Sequence, residues 1–282
     1  MSSHLETSPR TAKATVLERE EGRIAFEDSG GTGPLVVCAP GMGALRSLYR
    51  FVAPALVREG YRVVTIDLRG MGESSARWND YSESAIGSDI VALMKRLRAG
   101  PAILIGNSIS AGAAVCAATD EPGLVAGLIL VGPFVRPVRI SLLKLFLFRL
   151  ALARPWGAGT WVHYQGRNLY PSKRPADLDE YNARLLANLR EPGRMRAFQR
   201  MAATNHRAAQ ARLRHVRVPT LVVMGGSDPD FPDPKAEALG IAGELRGETT
   251  IMEGLGHYPQ AEDPAAFLQA VSGFLRAGIH AA

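Results

Sequence analysis

Ser108 lies in a run of small residues that is typical of an exposed nucleophile. The sequence Gly-Asn-Ser-Ile-Ser at residues 106–110 follows the apolar stretch 103–105 and precedes the small residues 111–114. A buried strand, a sharp turn around a serine and a compact helix form a nucleophile elbow, which raises the serine hydroxyl out of the backbone. Small residues two before and two after the serine keep the strand and the helix from colliding. We therefore predict that Ser108 is a nucleophile, provided that a base, an acid and oxyanion donors occur in the expected order.

His257 is the predicted base. The chain contains six histidines, of which two lie near the termini and three, at positions 163, 206 and 215, lie in the segment 133–215. His257 lies in Gly-Leu-Gly-His-Tyr-Pro at residues 254–259, between the last predicted strand and the last predicted helix. On a parallel sheet, ligand-binding and catalytic loops follow the carboxyl ends of the strands. This histidine is therefore in a loop where a base belongs.

Asp228 is the predicted acid that orients the histidine. It lies in Met-Gly-Gly-Ser-Asp-Pro-Asp at residues 224–230, directly after the predicted strand 220–224. Asp230, two residues later, is the alternative. The chain order of serine, aspartate and histidine is the one found when a nucleophile elbow sits on an α/β sheet.

Two backbone amides are predicted to bind the oxyanion. One belongs to Ile109, the residue after the nucleophile, and the other to Met42. Met42 lies in the loop Ala-Pro-Gly-Met-Gly at residues 39–43, which follows the predicted strand 35–38 and whose glycines allow a close backbone approach.

The sequence predicts neither a metal site nor a cofactor. No cysteines and histidines occur at metal-ligand spacing, and the two cysteines, Cys38 and Cys116, lie in apolar segments as core residues do. The glycine-rich turn at residues 67–74 fits neither a P-loop nor a dinucleotide-binding fingerprint. We interpret it as a structural turn in which Asp67 pairs with Arg69.

Alternating strands and helices predict an α/β fold with a mainly parallel, doubly wound sheet. A first pair of strands precedes the alternating part, and the final helix is amphipathic. The predicted strands are 14–18, 23–27, 35–38, 61–66, 102–105, 123–131, 220–224 and 250–252; the predicted helices are 48–58, 84–97, about 110–119 and 264–275.

The predicted domain organisation is a helical insertion in an α/β body. Residues 1–12 form a disordered leader, residues 13–132 and 216–282 form the body, and residues 133–215 form a helical cap without strand patterns. The cap contains 16 Lys and Arg residues against 4 Asp and Glu, whereas the whole chain of 282 residues has a net charge of +6. A mildly acidic body with a basic insert differs from a nucleic-acid-binding protein, which is basic throughout. The predicted location is the cytoplasm, because we find neither a signal peptide nor an apolar run of about 18 residues.

Residues 141–150 form a helical segment that is apolar nearly all round. We predict a helix buried between cap and body, with its inner face lining an acyl pocket. The alternative is an interfacial helix that docks on lipid, which would bring the cap into contact with a membrane.

The elbow, the loops of the predicted base, acid and oxyanion donors, and the turn 67–74 together resemble the α/β-hydrolase superfamily, over about residues 14–278. Three positions depart from the usual pattern of that superfamily. Pro40 takes a place that is commonly histidine, Asn107 precedes the nucleophile where esterases often have histidine, and Ser110 replaces a glycine. The matching segments are the loop 40–43, the turn 67–74, the elbow at Ser108, the loop of Asp228 and the segment 256–259.

The resemblance implies a serine hydrolase that needs no cofactor. The apolar segment of the cap predicts a pocket for an ester or lactone of a hydrophobic small molecule, and the basic charge of the cap allows an anionic one. A Gly-Asn-Ser elbow is also similar to that of the meta-cleavage carbon–carbon bond hydrolases, whose acidic substrates would suit an arginine-rich cap. A third hypothesis is a ligand-binding or signalling protein on the hydrolase fold with slow turnover. The oligomeric state is left open.

Overall fold

The computed structural model describes residues 14–137 and 141–279, so the predicted leader at residues 1–12 lies outside the described residues. Eight strands form one sheet in the order β1-β2-β4-β3-β5-β6-β7-β8. Strand β2 runs antiparallel to β1 and to β4, and all other neighbours are parallel. The strands are β1 (Thr15–Arg19), β2 (Gly22–Asp28), β3 (Leu35–Ala39), β4 (Arg62–Ile66), β5 (Ala102–Asn107), β6 (Val125–Val131), β7 (Thr220–Gly225) and β8 (Glu248–Met252).

The central strands β3, β5 and β7 are buried along their whole length, because helices cover both faces of a parallel sheet. The predicted α/β class is thereby confirmed. The helices are α1 (Val52–Arg58), α2 (Glu83–Leu97), α3 (Ile109–Asp120), α4 (Leu142–Ala151), α5 (Gly157–Asn168), α6 (Leu178–Arg190), α7 (Arg194–Ala202), α8 (Arg207–Arg212), α9 (Pro234–Leu245), α10 (Pro259–Glu262) and α11 (Pro264–Ile279).

One helix prediction needs correction, and one helix of the body was missed. The predicted helix 48–58 is divided into a 3-10 turn, Arg46–Tyr49, and α1. Pro54 explains the break, since it has no amide hydrogen and its ring excludes a helical turn on its N-terminal side. Helix α9 was not predicted, although its start carries two sequence signals. Asp233 is the N-cap, and its side chain accepts a hydrogen bond from the Ala236 amide at 2.9 Å. Pro234 is the first helical residue, a position that favours proline.

The connection between β6 and β7, which we call the cap (residues 133–215), contains helices α4 to α8 in its described part. Among the described residues, no helix is both long and apolar enough to cross a membrane. The prediction that residues 141–150 are buried is wrong. Several apolar side chains of α4 are exposed, including Leu143 at 67% and Phe146 at 62%, and the described residues do not cover them.

Candidate active site

Ser108 occupies a strained turn between β5 and α3. Its φ of 58° and ψ of −122° are unusual for a residue with a side chain, and such a conformation costs on the order of 1–3 kcal/mol. Gly106 permits the turn, because a Cβ there would lie 2.4 Å from the carbonyl oxygen of Ser110. Strain that the surrounding fold holds in place is typical of functional sites.

His257 and Asp228 form a buried hydrogen-bonded pair. The Nδ1 atom of His257 lies 2.7 Å from Oδ2 of Asp228, and both residues are 2% exposed. Asp230 lies farther away, at 3.8 Å from the same nitrogen. The structure therefore brings Asp228, and not Asp230, into hydrogen-bonding distance of the histidine.

The carboxylates around His257 determine its affinity for a proton. Burial alone would lower the pKa of His257, but the charge and hydrogen bond of Asp228, together with the charge of Asp230, raise the pKa from 6.5 to about 9. Burial also raises the pKa of Asp230, and the neighbouring charge of Asp228 adds to this effect. An imidazole held this way is a strong proton acceptor and its protonated form is stabilised.

Asn107 connects the elbow to the loop of the histidine. Its Nδ2 donates to the carbonyl oxygens of His257 at 3.2 Å and Val131 at 3.1 Å, and the Ser108 amide donates to Val131 at 2.9 Å. Gly132 lies beside the pair, since a Cβ there would be 3.0 Å from Nδ1 of His257. The sequence pointed to Asn107 as a departure from the esterase pattern and as part of a Gly-Asn-Ser elbow, but not to these hydrogen bonds, because the partners are 24 and 150 residues away.

The predicted oxyanion loop lies against the elbow. A Cβ on Gly41 would lie 3.0 Å from Cβ of Ser108, so the backbone that leads into Met42 passes directly beside the serine. Ile109 is the first residue of α3, and its amide is among the four that a helix leaves without an internal acceptor. The hydroxyl of Ser110 donates to the carbonyl oxygen of Pro40 at 2.5 Å. Ser110 and Pro40, which both depart from the usual pattern, thus connect the predicted oxyanion loop to α3.

Helix α5 contacts all three loops of the candidate site. The indole Nε1 of Trp161 donates to the Gly43 carbonyl at 2.8 Å, and the Tyr164 hydroxyl donates to Asp230 at 2.6 Å. The hydroxyl of Tyr258, the neighbour of His257, donates to Gln165 on the same helix at 3.4 Å. The second aspartate of the acid loop is therefore an anchor for the cap.

The glycine-rich turn at residues 67–74 is structural, but its predicted Asp67–Arg69 pair does not form. Asp67 accepts hydrogen bonds from the Arg46 amide at 2.8 Å and from the Arg46 guanidinium. Arg69 instead makes a two-pronged ion pair with Asp89, with both distances at 2.8 Å. Asp67 and Arg69 are thus close in sequence, but each binds a residue from another part of the fold.

A metal ion would have to compete with the hydrogen bond of the pair. Among the described residues, Asp228, Asp230 and His257 form a group whose potential ligand atoms all lie within 4.8 Å of one another. Because Nδ1 of the imidazole is already bound to a carboxylate, the arrangement favours proton transfer over metal ligation. The absence of a metal stays a prediction.

Comparison with known proteins assigns a family to this arrangement. A model of the alpha/beta hydrolase family matches residues 36–270. The chain is 27% identical over 252 residues to RutD of Variovorax paradoxus, provisionally named a carbamate hydrolase, and the match covers 86% of this chain and 92% of that protein. It is 28% identical over 269 residues to a 2-hydroxy-6-oxononadienedioate/2-hydroxy-6-oxononatrienedioate hydrolase of Cupriavidus pinatubonensis, with 90% and 91% covered.

The fold is also similar to that of solved structures. A thermophilic esterase from Thermogutta terrifontis superposes with a TM-score of 0.76 at 24% identity, covering 95% of this chain and 99% of the esterase. At this identity the likeness demonstrates the shared fold, and the chemistry has to be argued from the site.

Proposed function

This chain belongs to the alpha/beta hydrolase family, and on that premise we propose that it hydrolyses a carboxylic ester or lactone of a hydrophobic small molecule through an acyl-enzyme on Ser108. The observation that carries the proposal is the buried 2.7 Å hydrogen bond between His257 and Asp228, in a loop that Asn107 connects to the elbow of Ser108. A nucleophile, a base and an orienting carboxylate are the groups that acyl transfer by this route requires.

In the proposed mechanism, His257 removes the proton of Ser108 as the hydroxyl oxygen attacks the acyl carbon. Asp228 holds the imidazole and stabilises its protonated form. The amides of Met42 and Ile109 donate to the oxyanion of the tetrahedral intermediate. The imidazolium then protonates the leaving alkoxide, which departs as an alcohol. A water molecule deprotonated by His257 attacks the acyl-enzyme, and collapse of the second intermediate releases the carboxylic acid and restores the serine.

The aromatic surroundings support a hydrophobic substrate. The ring of Phe134 packs edge-on to His257 with a centroid distance of 5.9 Å and against Phe231 at 4.8 Å. Trp161, which contacts the oxyanion loop, packs on Phe198 at 4.8 Å. Walls of this kind favour an apolar acyl or alcohol group, and the basic cap would tolerate an anionic one.

The proposal is tested by Ser108→Ala, with Ser110→Ala as the matched control in the same turn. Turnover of p-nitrophenyl esters and lactones by the Ser108 variant should fall by several orders of magnitude, and covalent labelling by a fluorophosphonate should disappear. The Ser110 variant should still be labelled. Near-normal turnover by the Ser108 variant would disprove the assignment of Ser108 as the nucleophile. Labelling of the wild type without multiple turnover of any ester would instead favour a binding or signalling protein.

Carbon–carbon bond hydrolysis is the second candidate function. The Gly-Asn-Ser elbow at residues 106–108 and the similarity to the Cupriavidus pinatubonensis hydrolase favour it. A meta-cleavage dienoate in the same substrate panel distinguishes the two reactions. A profile dominated by the dienoate would replace the ester proposal and leave Ser108 and His257 in place.

A further inference from the structure

Helix α4 presents an apolar surface that the described chain does not cover. Leu143, Phe146, Leu147 and Leu150 follow one another at positions i, i+3, i+4 and i+7, so they form one stripe along the helix. Their exposed fractions range from 47% for Leu150 to 67% for Leu143. We call these four residues the α4 stripe. Large apolar side chains that lie exposed side by side are typical of interaction surfaces, which points to a partner for the stripe.

Hydrogen bonds fix the C-terminal end of α4. The carbonyl oxygen of Leu152, just after α4, accepts a hydrogen bond from Gln199 of α7 at 2.7 Å. The indole of Trp156 donates to the Leu150 carbonyl at 2.9 Å while the residue remains 52% exposed. A pocket of about 310 Å³ lies between α4 and α7, and its lining residues include Phe148, Arg149 and Gln199. The chain at the C-terminal end of α4 is therefore tied to α7, while the stripe itself is exposed.

The sequence on both sides of the stripe is basic, although Arg136, Lys173 and Arg174 make ion pairs with other segments. Between Glu121 and Asp177 the sequence contains eight Lys and Arg residues and no Asp or Glu. Arg149 on the helix and Arg154 just beyond it are both exposed, and neither makes an ion pair with any residue in the described ranges. A partner that fits this surface is apolar at its centre and negatively charged around it.

We propose that the α4 stripe docks the protein on the surface of a bilayer that contains anionic lipid. The stripe and the exposed indole of Trp156 enter the boundary between headgroups and acyl chains, where tryptophan is enriched, and the arginines contact lipid phosphates. With ten residues, α4 lies in the plane of the interface, since a span needs about 20.

A second copy of the chain fits the surface less well. In a symmetric dimer the same patch occupies both sides of the interface. The unpaired arginines of one copy would then face those of the other, with no carboxylate from residues 122–176 to neutralise them. Like charges that face each other across a dimer interface weaken association, whereas anionic lipid attracts the arginines and strengthens membrane binding.

The test is flotation of the full-length protein with vesicles of phosphatidylcholine alone and of phosphatidylcholine with about 30% phosphatidylglycerol. The wild type should bind the anionic vesicles and bind the neutral ones at least about tenfold less. The double variant Leu143→Ser, Phe146→Ser should lose at least about tenfold in partitioning. Leu239→Ser is the matched control, because Leu239 is a 55% exposed leucine on α9, outside the stripe. It should bind as the wild type does.

Tryptophan fluorescence adds a second readout. Trp78 and Trp161 are each 6% exposed, so brominated acyl chains should selectively quench Trp156 in the anionic vesicles, and Trp156→Phe should remove that quenching. Ser108→Ala should bind as the wild type does, so a failure of docking and a failure of the hydrolase proposal are distinguishable. Absence of binding to anionic vesicles would overturn the proposal. So would a dimer in sedimentation velocity that the double variant dissociates, without vesicle binding.

Discussion

Two histidine–carboxylate pairs in this molecule have nearly the same geometry and different surroundings. Nδ1 of His257 lies 2.7 Å from Asp228, and Nδ1 of His206 lies 2.8 Å from Oε1 of Glu83. In each pair the carboxylate is buried, with Asp228 at 2% and Glu83 at 1% exposed. The ring of Phe134 contacts both imidazoles, at centroid distances of 5.5 Å for His206 and 5.9 Å for His257.

The difference lies in what each pair connects. Asp228 and His257 follow β7 and β8 at the carboxyl edge of the sheet, where Ser108 follows β5. Glu83 begins α2 in the body, and His206 precedes α8 in the cap, so that pair fastens one part of the chain to another. Under the proposed function, the His257 pair serves as a catalytic base, whereas the His206 pair links the cap to the body.

The largest expected effect separates the pairs by activity. Asp228→Asn should lower kcat by about 10⁴-fold, since an amide cannot orient and stabilise the imidazolium as a carboxylate does. Glu83→Gln, the matched change in the other pair, should alter kcat only a few-fold. Steady-state kinetics on the best ester of the panel provides the measurement. Equal losses in the two variants would mean that both pairs serve catalysis.

The next effect separates them by stability. His206→Ala leaves the buried carboxylate of Glu83 without the imidazole, and its Oε2 already lacks a partner among the described residues. An unsatisfied buried group of this kind should lower the free energy of unfolding by about 1–3 kcal/mol, with kcat little changed. Urea denaturation followed by circular dichroism tests this. An unchanged midpoint would show that the pair does not fasten the cap.

The pH dependence sharpens the contrast. Because Asp228 and Asp230 raise the pKa of His257 to about 9, kcat/KM should increase with pH up to that region as the imidazole loses its proton. Asp230→Asn removes one of the charges that raise this pKa, so its profile should shift to lower pH. A profile centred at or below pH 6.5, the ordinary value for histidine, would contradict the assignment.

The same shift predicts a pH-dependent contribution to stability. The folded pKa of about 9 lies above the ordinary value of 6.5, so the native state binds the proton more tightly than the unfolded chain does. The resulting stabilisation is complete below pH 6.5 and is lost as the pH rises through about 9. Urea denaturation of Asp228→Asn beside the wild type across this window isolates the contribution, which should be much smaller in the variant.

The smallest expected effect concerns coupling through Phe134. Both pairs contact the ring of Phe134, and no hydrogen bond in the described structure connects one pair to the other. The losses in unfolding free energy caused by Asp228→Asn and His206→Ala should therefore add within about 0.5 kcal/mol in the double variant. A larger coupling energy, abolished by Phe134→Leu, would show that the ring transmits strain between them.

The sheet and the three candidate loops were predictable because each depends on local sequence. Ser108 and Asp228 each follow a buried apolar strand and His257 follows β8, and parallel strands bring their carboxyl ends to one edge. The pairing of His206 with Glu83 was not predictable, since the two residues are 123 positions apart. The same holds for Asp67 and Arg69, each of which binds a residue from another element.

The error over α4 has a different cause. An apolar run indicates that a surface requires cover, but it does not indicate whether the cover comes from the same chain. The apolar composition of residues 141–150 was therefore sufficient to predict a helix, observed at Leu142–Ala151, and insufficient to predict its surroundings. Pro54 and Pro234 were visible in the sequence and would have corrected the limits of α1 and the omission of α9.

The contacts of α5 have a consequence for engineering. Trp161, Tyr164 and Gln165 each bind a different loop of the body, so the cap is not an independent module that can be exchanged between relatives. A chimera that imports a foreign cap would also have to import the matching partners, above all the carboxylate at Asp230. Grafting the cap alone would remove the hydrogen bonds that hold three loops of the candidate site in place.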